Sequence, residues 1–177
     1  MKWKPTLALL QFSLLSILKR MPGFNTLFQS EVTVKTGDIF PLGRLLGEKG
    51  PLVLDSSKYT VVYFYPKDET PGCTIEAAEF EKLKPEFQQA GIRIVGASVD
   101  DATSHRQFCG KMGLTFELAT DPEGRLGRDI GILSGSLHQR VTYVLDNQGQ
   151  VVLHYPAVKA SGHAQAVLQD IGGLTAP

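Results

Sequence analysis

The 177-residue chain holds two cysteines, enough for one redox pair. Cys73 closes the segment Tyr65-Pro66-Lys67-Asp68-Glu69-Thr70-Pro71-Gly72-Cys73. Thr70 is a good helix N-cap, and Pro71 then falls at the first helical position, where its missing N–H costs nothing. Cys73 lands at the third helical position, near unpaired backbone N–H groups and the positive end of the helix dipole. Both effects favour thiolate over thiol, and only the thiolate is a useful nucleophile. The other reading is an inert buried cysteine at a helix start. Glu76, one turn on, opposes the thiolate weakly by repulsion, and nothing in the sequence gives it a role. Cys109 shares a helical face with His105, Phe108 and Met112, which fits either a core thiol or the second member of a redox pair. Two cysteines are too few for a disulfide-dense scaffold and, with four scattered histidines, for a Cys-rich zinc site. His105, His138, His154 and His163 lack metal-like spacing and read as surface or hydrogen-bonding residues. Ser134-Gly135-Ser136 reads as a loop rather than a nucleophile turn. No phosphate-cradling glycine motif appears, so no nucleotide is expected.

These residues need elements to hold them. Thr60 to Tyr65 is an unbroken β-branched and aromatic run ended by Pro66, the pattern of a central strand buried on both faces. Cys73 therefore follows the C-terminal end of a strand, where active sites of α/β sheets gather. Phe80, Leu83, Phe87 and Ala90 recur at helical spacing, so a helix is expected from Pro71 to about Ala90, kinked or split at Pro85. Ile92 to Val99 reads as a second buried strand. Asp101 to Met112 reads as a helix stopped by Gly113. Glu117 to Thr120 reads as a short strand, Asp121 to Gly124 as a turn, and Arg125 to Ile130 as a short helix. Val141–Leu145 and Gln150–Tyr155 form a hairpin, and Ser161–Ile171 is a last amphipathic helix. Short strands are also expected at Glu31–Lys35 and Leu52–Leu54. The order implies an α/β fold, a mixed central sheet with helices on both faces.

Composition removes other classes. Lys+Arg and Asp+Glu are 18 each, so the net charge is zero and no basic excess points to nucleic acid or anionic membrane. A chain this long with 42% hydrophobic residues can bury a full core in one domain.

The first residues stand apart. Lys2 and Lys4 precede an apolar run from Thr6 to Leu18, which Lys19 and Arg20 close. A basic start before such a run resembles a secretory signal, yet no small-residue cleavage site follows and the run is short for a membrane span. The alternative is an amphipathic helix with Leu7, Leu10, Leu14 and Leu18 on one face. Residues 1–28 are set apart as an extension and 29–177 as the folded domain. A cytoplasmic location is expected, with export or tethering through residues 1–20 as the alternative.

Pro66-x-x-x-Thr70-x-x-Cys73 resembles the peroxiredoxin signature. The longer string from Tyr63 to Asp68, with Thr70-Pro71-Gly72-Cys73-Thr74 and Glu76-Ala77, resembles the peroxiredoxin Q branch, also called bacterioferritin comigratory protein. The resemblance runs from about Glu31 to Gly172. It implies a thioredoxin-like fold and thiol-dependent reduction of hydrogen peroxide and organic hydroperoxides, with no metal and no organic cofactor. By position, Cys73 matches the peroxidatic cysteine. Thr70 matches the hydroxyl that accepts from the peroxide and bonds the thiolate, and Pro66 the residue shielding the pocket from water. Arg140, before Val141, matches the arginine that polarises the peroxide and holds the thiolate. One subgroup resolves the oxidised cysteine five residues later on the same helix, where this chain has Ala78. Another places the resolving cysteine on the next helix, as Cys109 is placed. The resemblance thus implies a Cys73–Cys109 disulfide, thioredoxin as the reductant and a monomer. Bridging needs the Cα atoms within about 7 Å, so local unwinding of both helices is expected, aided by Gly110.

Two other classes remain in view. A redox sensor or disulfide exchanger would pass the disulfide to a partner, although no Cys-x-x-Cys motif is present. A holdase would bind clients through the apolar N-terminus. Peroxide consumption separates the first reading from both.

Overall fold

A computed structural model describes residues 33–174, and both the extension and its boundary at residue 28 lie outside the described residues. A seven-stranded mixed sheet organises the chain. In chain order its strands are β1 (Leu46–Gly47), β2 (Gly50–Pro51), β3 (Tyr59–Phe64), β4 (Ile92–Ser98), β5 (Glu117–Thr120), β8 (Val141–Asp146) and β9 (Val151–Tyr155). A separate two-residue ribbon pairs β6 (Leu133–Ser134) with β7 (Leu137–His138). The sheet order is β2-β1-β5-β4-β3-β8-β9, with β3, β4 and β5 parallel and the remaining pairs antiparallel. The helices are α1 (Pro71–Gln89), α2 (Ala102–Met112), α3 (Arg125–Asp129) and α4 (His163–Leu174).

Strand alternation sends neighbouring residues of β3 into two cores. Val61, Tyr63 and Tyr65 face a core built with Phe80 and Phe87 of α1, Phe108 of α2 and Val167 and Ile171 of α4. Val62 and Phe64 face a second core built with Phe40, Leu42 and Leu45 and with Leu126 of α3. Helices thus cover both faces, three long ones on one side and a five-residue helix with an irregular segment on the other. Gly96 fits Tyr63 to its neighbours: a Cβ there would lie 2.7 Å from the Tyr63 hydroxyl. The Tyr63 ring stacks on Phe80 at 4.5 Å between centroids, seating α1 on the sheet.

Several expected elements differ. Residues 33–35 form no strand, and instead Ile39 makes one isolated bridge to Gln150. Leu52–Leu54 is also not a strand; the sheet edge there is the small β1–β2 hairpin just before it. Glu31–Lys35 alternates but is short, Leu52–Leu54 lies in a stretch without sustained periodicity, and the pairing of both depends on distant partners. Pro85 does not split α1, which runs unbroken to Gln89. An internal proline costs about 3 kcal/mol. Phe80 and Phe87 flank it, both fully buried, and burial of such side chains returns about 1.5–3 kcal/mol each. In α2, Asp101 accepts from the N–H groups of Thr103 and Ser104, and Gly113 closes the helix at φ 66°.

Candidate active site

The loop from Pro66 to Thr70 leaves the C-terminal end of β3 and delivers Cys73 to the first turn of α1. Cys73 is 1% exposed. Register supplies its neighbour. β8 pairs antiparallel with β3, with Phe64 opposite Val141, so Arg140 stands beside the strand end from which the cysteine loop departs. Arg140 Nη2 donates to Cys73 Sγ at 3.4 Å, while its Nη1 forms an ion pair with Glu76 Oε2. Gly72 leaves room for this approach, because a Cβ there would lie 3.2 Å from Arg140 Nη2.

Glu76 is fully buried one turn after Cys73. Burial pushes its carboxyl up to about 7, against the lowering pull of Arg140, and Glu79 adds to the rise. Burial lowers the Arg140 pKa, but the Glu76 charge and the Cys73 sulfur outweigh it, so the net shift is upward and the guanidinium stays charged. The sequence left Glu76 without a role. Its spacing of three from Cys73 carried the signal, since i and i+3 share a helix face, but the cation that pairs with it comes from another element.

Thr70 occupies the N-cap position with extended backbone, yet its side chain caps no helix N–H. Its hydroxyl instead donates to the Lys67 carbonyl at 3.1 Å, a correction to the expected cap. The bond closes the loop on itself and leaves the hydroxyl oxygen free to accept. Pro66 is half-buried where the loop leaves the strand.

Asp68, in the same loop, is buried. Tyr65 Oη donates to its Oδ1 at 2.7 Å, Ser104 Oγ donates to Oδ2 at 2.6 Å, and His105 Nδ1 lies 3.0 Å from Oδ2. Burial raises its pKa, but the hydrogen bonds from His105, Ser104 and Tyr65 win, so the carboxyl sits below its ordinary range. Of the two readings of the histidines, surface or hydrogen-bonding, the second holds for His105, His138 and His163. His105 is held by Asp68. His138 Nε2 lies 2.9 Å from Asp121 Oδ2 with both groups buried, His163 Nε2 lies 2.8 Å from Thr142 Oγ1, and His154 stacks on Tyr143.

Cys109 is half-buried in α2 and packs against the core that contains Cys73. The two sulfurs are unbonded. Cys109 lines a groove of about 680 Å³ with Leu46, Leu52, Phe116 and Leu118, and Cys73 is not part of that lining. Burial pushes the Cys109 thiol up, and the charges of Asp68, Glu81 and Glu48 add to the rise. Fold and register therefore bring Cys73, Arg140, Thr70 and Pro66 into one neighbourhood and leave Cys109 facing a different space.

The profile of the AhpC/TSA family matches residues 52–154. The chain belongs to the AhpC/TSA family. Within that family it is 39% identical over 146 residues to peroxiredoxin Bcp of Xanthomonas campestris, covering 78% of this chain and 91% of that one. It is 37% identical over 146 residues to the chloroplastic peroxiredoxin Q of Gentiana triflora, covering 79% and 67%. A mutant of Xylella fastidiosa peroxiredoxin Q superposes with a TM-score of 0.73 at 29% identity, covering 81% of this chain and 98% of that one. The bacterioferritin comigratory protein of Xanthomonas campestris, in structures concerned with its alkyl peroxide reduction, superposes at 0.69 with 34% identity over 77% and 96%. The AhpC/TSA chain thus has the thioredoxin-like peroxiredoxin fold. Among the described residues, no helix is long and apolar enough to cross a membrane.

Proposed function

We propose that this protein is a thiol peroxidase that reduces hydrogen peroxide and organic hydroperoxides through Cys73. The observation that carries the reading is the Arg140 guanidinium on Cys73 Sγ at 3.4 Å, at the first turn of a helix. A fixed cation on the sulfur, at the positive end of a helix, needs no rearrangement as charge moves in the attack. The thiolate attacks one peroxide oxygen. An S–O bond forms, the O–O bond breaks, and the departing alkoxide or hydroxide takes a proton, leaving Cys73 sulfenic acid. Thr70, whose proton is engaged by Lys67, accepts the peroxide O–H. Pro66 shields the pocket from water. Glu76 holds the second edge of Arg140 and keeps it aimed.

The Cys109 thiol then attacks the sulfenic sulfur, forming the Cys73–Cys109 disulfide and releasing water. A dithiol donor, thioredoxin in this proposal, restores both thiols. The catalyst needs no metal and no organic cofactor, and it works as a monomer built from residues 29–177. The cytoplasm is its proposed location, with tethering through residues 1–20 the alternative. Peroxide consumption by the purified full chain with a thioredoxin system tests the reading. A redox sensor would oxidise once and not consume peroxide catalytically.

A further inference from the structure

Asp68 lies five residues before Cys73, between exposed Lys67 and Glu69, yet it is only 5% exposed. Besides the contacts from Tyr65, Ser104 and His105, its backbone N–H donates to Asp100 Oδ2 at 2.8 Å. Ser104 and His105 belong to the first half of α2, the helix that carries Cys109. The loop of one sulfur is thereby pinned to the helix of the other at a buried carboxylate. A second, exposed link joins Glu69 Oε2 to Lys111 Nζ at 2.8 Å, near the far end of the same helix. Glu69 itself sits at φ 59°, so this loop also stores backbone strain.

A disulfide needs the two Cα atoms within about 7 Å. Here Cys73 lies under Arg140, Cys109 faces the groove, and both helices are intact. Unwinding α2 around Ser104 and His105, or shifting the loop at Asp68, breaks the helical register that brings both donors onto one carboxylate. Contacts present only in the folded arrangement slow every route out of it.

We propose that Asp68, with Ser104 and His105, is a latch that holds the two cysteine segments in their folded arrangement and so sets how Cys73 sulfenic acid partitions between disulfide formation and further oxidation. The proposal rests on the reading of Cys73 as the attacking thiol and Cys109 as the resolving one. The two exits are chemically distinct. Cys109 attack forms the S–S bond and releases water. A second hydroperoxide instead transfers an oxygen to the sulfenic sulfur, giving sulfinic acid and the alcohol or water. Asp68 touches neither sulfur; it is a positioning residue.

The test compares wild type, Asp68→Asn, Ser104→Ala and Glu69→Gln as full chains. Rapid mixing with increasing hydrogen peroxide gives the rate of disulfide formation, and mass spectrometry gives the fraction of sulfinic acid. The latch variants should form the disulfide about tenfold faster, the size set by loss of one hydrogen bond to a charged group. They should need correspondingly more peroxide to reach half sulfinic acid, and amide exchange should quicken in 66–74 and 102–109 but not in β3 and β4. Glu69→Gln should match wild type. Should Asp68→Asn not fold, Ser104→Ala, which removes one donor, decides. Unchanged or slower disulfide formation in folded Ser104→Ala overturns the latch. Slower formation in His105→Gln also overturns it, pointing to a base for Cys109 at His105 Nε2, which is buried without a partner among the described residues. If wild type itself forms no disulfide, the reading beneath the proposal fails, and that outcome is visible separately.

Discussion

The two sulfurs occupy opposite kinds of site. Cys73 is enclosed at a helix N-terminus with a guanidinium on it, and the guanidinium is itself held by a buried carboxylate. Cys109 sits past the middle of a helix, half-exposed to a groove, with acidic groups and burial raising its pKa. One site is built to stabilise a charge where it stands. The other has no such cation among the described residues, and its helix carries Gly110 beside the sulfur. Under the proposed roles, the contrast gives speed to the first thiol and mobility to the second.

The largest effect should come from exchanging the sulfurs. Cys73→Ser should abolish peroxide consumption. Cys109→Ser should complete one turnover and then stall unless a thiol is added, as followed by peroxide loss and trapping of the sulfenic acid. If Cys109→Ser cycles with thioredoxin like wild type, the asymmetry between the sites has been misassigned.

Arg140→Ala should lower the rate of Cys73 oxidation by about 10²–10³, the usual loss on removing a preorganised charge partner. Arg140→Lys should recover only part, because an ammonium cannot present a planar fork to Glu76 and Cys73 together. Stopped-flow oxidation under single-turnover conditions reads both.

The carboxylates of the two regions should respond to pH with opposite sign. Burial holds folded Glu76 near 7, above its ordinary 4.5, so folding favours the protonated form. Its contribution is complete below about 4.5 and is lost as pH rises through about 7, a change on the order of 3 kcal/mol. Denaturant melts should show wild type losing stability across that window and Glu76→Gln following a flatter curve. Asp68 and Asp121 are held below their ordinary 3.8 by their hydrogen-bond donors, despite burial. Their contribution is present above 3.8 and is lost as pH falls through the lowered values.

The smallest effect tests mobility. A Cβ at Gly110 would meet nothing within 4 Å, so Gly110→Ala should stabilise α2 by about 1 kcal/mol without a clash. Disulfide formation should slow about fivefold while the first oxidation stays as it was. An unchanged second step would show that α2 need not open around Cys109.

Much of this was legible in the chain. The apolar run ended by Pro66, the Thr70-Pro71 helix start and the placement of Cys73 at the third helical position are local features, fixed by φ/ψ limits and hydrogen-bonding needs of neighbouring residues. The resemblance supplied Arg140 as a candidate, and the register of β8 against β3 brings it to the sulfur. The failures have two causes. The strand expected at Leu52–Leu54 and the split expected at Pro85 each weighed a local preference that tertiary packing overrode, whereas the Thr70 hydroxyl exchanged one local bond, to a helix N–H, for another, to the Lys67 carbonyl. Asp68, Glu76 and the Asp121–His138 pair were invisible as sites because a buried ion is tolerated only when partners from distant segments surround it.

By itself the sequence determined which sulfur would sit at a helix start, since that depends on residues a few positions apart. Which charges would surround it, and which helix would be tied to its loop, were decided only when strands far apart in the chain paired. Electrostatic partners act through space over a few ångströms, and chain order does not encode that distance.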